Sequence, residues 1–274
     1  MIYKKDSPYN RIRVHEEGCI RTLRLGEGSS AGKQSRIDLK DLNRHMLEYT
    51  RLVFASLLLN ENPQRILIIG LGGGVIPRYM HDYFPDAEID VVDIDPEVVE
   101  TAKKFFFFKP DDTLRVHILD GRQFVQQEAD SNSGRTYDLV ILDAFNNEYI
   151  PLHMATREFL HYIENILHPK GVVVSNVLSD HKLFQSQIQT FQAVYGRVYL
   201  FVGRNVNNVI VVSAGPEVPD LDLKTALEHA DLLQQRHNFS FSVNSVARQF
   251  RPEFRLKRSA EILTDECLLY NLNV

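Results

Sequence analysis

The run Arg65-Ile-Leu-Ile-Ile-Gly-Leu-Gly-Gly-Gly74 constrains this chain more than any other segment. An unbroken apolar stretch without alternation is the pattern of a strand buried on both faces, as in a parallel sheet covered by helices. The glycines that close it let the backbone turn sharply and approach a ligand with no Cβ in the way. A helix after Gly74 then directs its free N–H groups into the same space. Similar runs follow at Ile89–Ile94, Leu114–Leu119, Tyr137–Leu142 and Gly171–Ser175, most of them separated by helical stretches. Strand and helix in alternation predict a doubly wound α/β sheet with ligand at the carboxyl ends of its strands.

Acids punctuate those carboxyl ends. Asp93 closes the second run, about twenty residues beyond the glycine loop, where a carboxylate accepts hydrogen bonds from both hydroxyls of a ribose. Strand, glycine loop, helix and acid together predict a nucleoside site lined by Gly70, Gly72, Gly73, Gly74, Asp93 and Ile94. Asp120-Gly121 follows the third run. There an acid would meet the exocyclic amine of an adenine and a glycine would give the ring room, although Asp-Gly also favours plain turns. Such an acid suits an adenosine ligand without a pyrophosphate better than a dinucleotide. Asp143 ends the fourth run, beside the expected ligand. It is open to two readings: a group that accepts a proton from an amine or steers a cationic substrate, or a helix cap.

Around this centre, alternation on either side of Glu17-Gly18 predicts a half-buried hairpin over Arg11–Leu25. Apolar residues at helical spacing predict a lead-in helix from about Leu42 to Leu59. Val198–Val202 and Asn208–Ser213 predict a closing antiparallel hairpin, and Leu223–Arg236 a helix that opens a C-terminal extension. Three parts are expected: 1–60 with the hairpin and lead-in helix, 61–215 as the nucleoside-binding domain, and 216–274 as a helical extension. A net charge of −5 gives no overall attraction to nucleic acid or anionic lipid, and the basic run Arg248–Arg258 reads as a solvated face. Cys19 and Cys267 cannot build a disulfide framework, and the histidines show no metal-ligand spacing, so no metal is expected. With no signal peptide or apolar span in the sequence, a cytoplasmic protein is expected.

At these residues the chain resembles the spermidine synthase family, the aminopropyltransferases, from about Ser7 to about Ala214. Ser7-Pro-Tyr-Asn10 resembles the family's N-terminal Ser-x-Tyr-Gln strand, with Asn10 in place of glutamine. Ile66–Gly74 resembles its nucleotide loop, Val92-Asp-Ile-Asp95 its Val-Glu-Ile-Asp, Asp120-Gly121 its adenine pair, and Ile150–Phe159 the segment beyond its catalytic aspartate, which falls on Asp143. The resemblance implies a Rossmann-like S-adenosylmethionine-dependent methyltransferase fold with a mostly parallel seven-stranded sheet. It further implies S-adenosylmethionine or its decarboxylated form as co-substrate, Asp143 as catalytic base, and Asn10, Asn146 and Tyr149 at the substrate. A homodimer formed through the N-terminal hairpin is a further expectation.

The departures bear on substrate. Gly73 stands where the family's loop carries an aspartate, Asn146 where it has a second active-site acid, and Glu48–Phe54 lacks its Tyr-His-Glu segment. With fewer carboxylates in the pocket, a donor that keeps its own carboxylate is repelled less, which favours ordinary S-adenosylmethionine more than the family resemblance alone implies. Aminopropyl transfer to an amine or polyamine, which the family resemblance implies, is the first expectation. Methyl transfer from S-adenosylmethionine to a small molecule or protein is the second, and a non-catalytic nucleoside-binding homologue the third.

Overall fold

Ile66 and Ile68 pack into one hydrophobic core while Leu67 and Ile69 pack into another on the opposite side, which is why β5 (Arg65–Ile69) is apolar throughout. The computed structural model describes residues 1–26, 33–131, 134–145, 150–252, 254–257 and 260–267. In β8 (Tyr137–Leu142) Leu139 and Ile141 face the first core and Val140 and Leu142 the second, and Val172, Val173 and Val174 of β9 (Leu167–Leu178) alternate likewise. Helices α2 (Val75–Tyr83) and α3 (Pro96–Phe105) cover the first side, and α4 (Gly121–Asp130), α5 (Arg157–Ile166) and α6 (Phe184–Tyr195) the second.

With β6 (Glu88–Asp93), β7 (Leu114–Ile118), β10 (Tyr199–Val202), β11 (Asn208–Ala214) and β12 (Phe250–Arg251), the central sheet has the order β7-β6-β5-β8-β9-β11-β10-β12. The pairings from β7 to β9 are parallel, and those beyond β9 are antiparallel. The chain leaves β5 for β6 on one side and returns to β8 on the other, so the sheet's switch point lies between β5 and β8. That is where an open α/β sheet forms a ligand crevice.

Three elements differ from the sequence expectation. The sheet has an eighth strand because Phe250 and Arg251, inside the C-terminal extension, pair with Phe201 and Leu200. Two residues are too few to leave a periodic signal; burial of Phe250 against Phe201 supplies the reason for the pairing. The N-terminal hairpin, β2 (Arg11–Glu17) with β3 (Ile20–Leu25), is the centre of a four-stranded antiparallel sheet flanked by β1 (Tyr3–Asp6) and β4 (Lys33–Asp38). Its inward residues Ile12, Val14, Leu23 and Ile37 join the first core, as the alternation required. The exposed Lys4-Lys5-Asp6 edge carries no such pattern. The lead-in helix is also shorter than its apolar spacing suggests. Turns occupy Asp38–Arg44, Leu47 is extended, and α1 (Glu48–Leu52) passes into a 3₁₀ turn over Val53–Leu58.

The expected helix appears with the predicted bounds as α7 (Leu223–Arg236). Its Ala226, Ala230 and Leu233 join α8 (Val243–Ala247) against the first core. Among the described residues no helix is long and apolar enough to cross a membrane.

Candidate active site

Strand register assembles the site. Ile69 pairs with Val92 on one side and Leu142 on the other, so Gly70, Asp93 and Asp143 emerge together at the carboxyl edge. Gly70 is held between its neighbours: its N–H donates to Val92 O at 2.8 Å, and the Asp143 N–H donates to Ile69 O at 2.8 Å. A Cβ on Gly70 would stand 2.5 Å from the Asp143 carbonyl oxygen, so only glycine allows the two strand ends this approach.

Asp93 organises the loop. Its Oδ2 accepts the Leu71 N–H at 2.8 Å and its Oδ1 the Asp95 N–H at 2.9 Å. Burial pushes its carboxyl up to about 6, against the pull of those N–H groups. Asp95 caps α3 by accepting the Glu97 N–H, and also receives Ser7 Oγ at 2.6 Å and Asn10 Nδ2 at 2.9 Å. Asn10 therefore borders the site while its amide ties the N-terminal segment to the start of α3.

Asp120 caps α4 through the N–H groups of Arg122 and Gln123, at 3.0 and 3.1 Å, and its Oδ2 meets His153 Nε2 at 3.0 Å. The hydrogen bond with His153, helped by the N–H groups of Arg122 and Gln123, holds its carboxyl below the usual range despite burial. Gly121 lies under Ile69 and Met154, where a Cβ would come within 2.4 Å of Ile69.

These residues enclose a cavity of about 580 Å³, lined by Gly70, Gly72, Asp93, Ile94, Asp120 and Gly121 among others. Gly73 and Gly74, expected in the same lining, are not among the described residues that line it; a Cβ on Gly73 would meet Ser35 and one on Gly74 would meet Phe108. Asn146 and Tyr149 lie outside the described residues.

A second cavity of about 640 Å³ opens beside the first. Gln34, Tyr49, Asp143 and Phe145 line both, so Asp143 stands at the junction. Its Oδ1 accepts Asn176 Nδ2 at 2.8 Å, and burial pushes its carboxyl up to about 7 despite that hydrogen bond. Tyr49 donates its hydroxyl to Gln34 O at 2.8 Å, and burial, with Asp143 nearby, raises it well above its ordinary value. Glu48, Asp143 and Asp180 against Lys33 give the second cavity a negative balance among its described acids and lysines, suited to a cation. Glu48 also accepts the N–H groups of Arg204 and Asn205, at 3.0 and 3.2 Å, and so fixes the β10–β11 turn as a wall.

Sequence reasoning missed His153, Ser35, Gln34, Tyr49 and Asn176. His153 shows no metal-ligand spacing in the sequence, although its place beyond Asp143 puts it near the same edge. Ser35, Gln34 and Tyr49 reach the site from the N-terminal sheet and α1, which no local spacing indicates. Asn176 did leave a signal, as a polar residue inside the apolar run at the end of β9.

Comparison with known proteins places this geometry in a family. Residues 46–212 match the Spermine/spermidine synthase domain. A polyamine aminopropyltransferase of Vibrio vulnificus is 32% identical over 99% of this chain and 91% of its own length. A human eEF1A lysine and N-terminal methyltransferase is 31% identical over 69% of this chain, which spans 29% of that protein. Among solved structures, a probable spermidine synthase from Corynebacterium glutamicum superposes with a TM-score of 0.72 over 97% of this chain and 96% of that one, at 18% identity, a likeness of fold. The chain belongs to the spermine/spermidine synthase family and is a transferase.

Proposed function

We propose that the protein transfers an aminopropyl group from decarboxylated S-adenosylmethionine to an amine or polyamine, with Asp143 as base. The carrying observation is the place of Asp143, whose carboxyl is pushed up by burial, at the junction of the cavity lined by the glycine loop, Asp93 and Asp120 and a second cavity of negative balance. The relationship to a polyamine aminopropyltransferase over nearly the whole chain supports it.

In this reading Asp93 receives the ribose hydroxyls and Asp120 the adenine amine, with Gly121 leaving room for the ring and Ile94 offering it an apolar surface. The glycine loop passes close beneath the nucleoside. The acceptor amine lies in the second cavity and attacks the aminopropyl carbon bonded to sulfur. A C–N bond forms, the C–S bond breaks, and its electron pair neutralises the sulfonium as the thioether nucleoside leaves. The amine proton passes to Asp143, whose raised carboxyl is a competent acceptor near neutral pH. The purified protein should consume the decarboxylated donor in the presence of putrescine, spermidine, cadaverine or agmatine. No turnover with any of these would remove the reading for those acceptors.

One observation favours a second reading, methyl transfer from intact S-adenosylmethionine. The Gly73 N–H donates to Ser35 Oγ at 2.8 Å, and a Cβ there would lie 2.7 Å from Ser35 Cβ. The acid that the family carries in this loop therefore has no space while Ser35 occupies β4. A carboxylate pair about 6 Å apart repels by about 3 kcal/mol at an effective dielectric near 20, roughly a hundredfold in affinity. Without that repulsion the intact donor should bind within about tenfold of the decarboxylated one, as a calorimetric titration of both would read. Gly73→Asp alone should destabilise the fold, and combined with Ser35→Gly it should restore selectivity against the intact donor. A large preference for the intact donor, together with methyl incorporation into an acceptor, would establish methyl transfer instead.

A further inference from the structure

Asn176 follows Ser175, which pairs with Leu142, so register sets it beside Asp143. It is buried, and both ends of its amide are engaged. Nδ2 donates to Asp143 Oδ1 at 2.8 Å, and Oδ1 accepts from Asn208 Nδ2 at 2.9 Å. Ile210 pairs with Asn176 across β11 and β9, so Asn208, two residues along, projects on the same face as Ile210. Asn208 also lines the second cavity.

An amide has one donating and one accepting end. Because Asn208 donates, Asn176 turns its oxygen towards β11 and its N–H towards Asp143. The opposite orientation would set an amide oxygen against the carboxylate. We propose that Asn176 and Asn208 are positioning residues that form an amide relay, one that ties Oδ1 of Asp143 and favours its ionised form while leaving Oδ2 to take the proton. The inference rests on Asp143 being the base. Oδ2 receives no hydrogen bond from the described residues, and the opposing contribution of Asn176 to the Asp143 carboxyl agrees with the assignment.

Other ionisable groups face Asp143 and are left unchanged by the test. Tyr49 approaches from α1. Lys33 of β4, Glu48 of α1, and Asp180 and His181 beyond β9 share the second cavity. On the nucleoside side stand Asp93 of β6, Asp120 before α4, and His153. None of them lies between the hydrogen-bonded atoms of the Asn208-Asn176-Asp143 chain.

The test is the titration of the Asp143 carboxyl carbon by NMR in the ligand-free protein, together with the acid limb of the pH–rate profile. Asn208→Leu, which is neutral, should raise both midpoints by a few tenths of a pH unit, because Asn176 loses the partner that orients it. Asn208→Asp should accept from Asn176 and reverse its amide, raising both by about one unit and lowering activity at pH 7 severalfold, with recovery at higher pH. A through-space charge would raise the midpoint as well, so Asn208→Asp is repeated in an Asn176→Leu background. There the added shift should largely vanish.

Unmoved midpoints in Asn208→Leu, or an Asn208→Asp shift undiminished in the Asn176→Leu background, would overturn the relay. If the Asn176→Leu proteins fail to fold, the neutral Asn208→Leu variant still decides the matter. Full turnover by Asp143→Asn would instead overturn the base assignment, while the carboxyl titration would still report on the relay.

Discussion

Asp143→Asn is expected to lower kcat by about 10²–10⁴-fold while leaving the affinity for the nucleoside donor nearly unchanged. The amide retains an oxygen to accept from Asn176 and adds no bulk, so the cavity walls stay in place. What it lacks is the ability to take the amine's proton. Steady-state kinetics alongside calorimetric donor titration separates the two effects. A comparable loss of donor affinity would show that Asp143 holds the nucleoside and is not the base.

The same substitution should make the protein more stable at pH 8. The folded carboxyl titrates near 7 and the unfolded one near its ordinary 3.8. Between these values the folded state binds more protons, so stability falls as pH rises through that window and stays low above it. The carboxylate opens partly on to the water-accessible cavities, which reduces the cost of its charge. A gain of about 2 kcal/mol at pH 8 is the expected size, with little difference near pH 4. Chemical denaturation at the two pH values reads it directly. The wild-type rate should fall below about pH 7 as Asp143 protonates, and donor binding should weaken below about pH 6 as Asp93 does.

Those two acids were legible in the sequence because each ends an apolar run, and the end of a buried parallel strand is the edge where such a sheet binds ligands. The same logic located Gly70, Asp120 and Gly121. It does not separate Gly73 and Gly74, which are not among the described residues lining the cavity, from Gly70 and Gly72, because a glycine run does not reveal which of its members reach the cavity. Gly73 packs against Ser35 and Phe106 and Gly74 against Phe108, all remote in sequence. The second cavity was illegible for a similar reason. Its walls come from β4, α1, the segment after β9 and the β10–β11 turn, brought together only by sheet order. Short elements escaped too: β12 is two residues long, and α1 passes into a 3₁₀ turn that helical periodicity cannot distinguish from a longer α-helix.

Gly70→Ala should be the most damaging single methyl addition at the site, and Gly18→Ala separates its causes. Both glycines have positive φ, 101° at Gly70 and 59° at Gly18, so each alanine incurs a backbone penalty of about 1–2 kcal/mol. At Gly18, in the β2–β3 turn, a Cβ meets nothing within 4 Å. That variant should lose about 1 kcal/mol of stability and keep its activity. At Gly70 the new methyl would meet the backbone of Asp143 and Ala144, at 2.5 to 2.8 Å, and no side-chain rotation relieves a backbone clash. Either β5 and β8 separate at their carboxyl ends or the Asp143 peptide shifts. The hydrogen bond from the Asp143 N–H to Ile69 O resists both movements. A loss of more than about 3 kcal/mol is expected. Any protein that still folds should show reduced kcat, because the displaced residue is the proposed base. Equal stability and equal activity in the two alanine variants would mean that the approach of Gly70 to Asp143 has no part in holding the carboxylate at the junction of the two cavities.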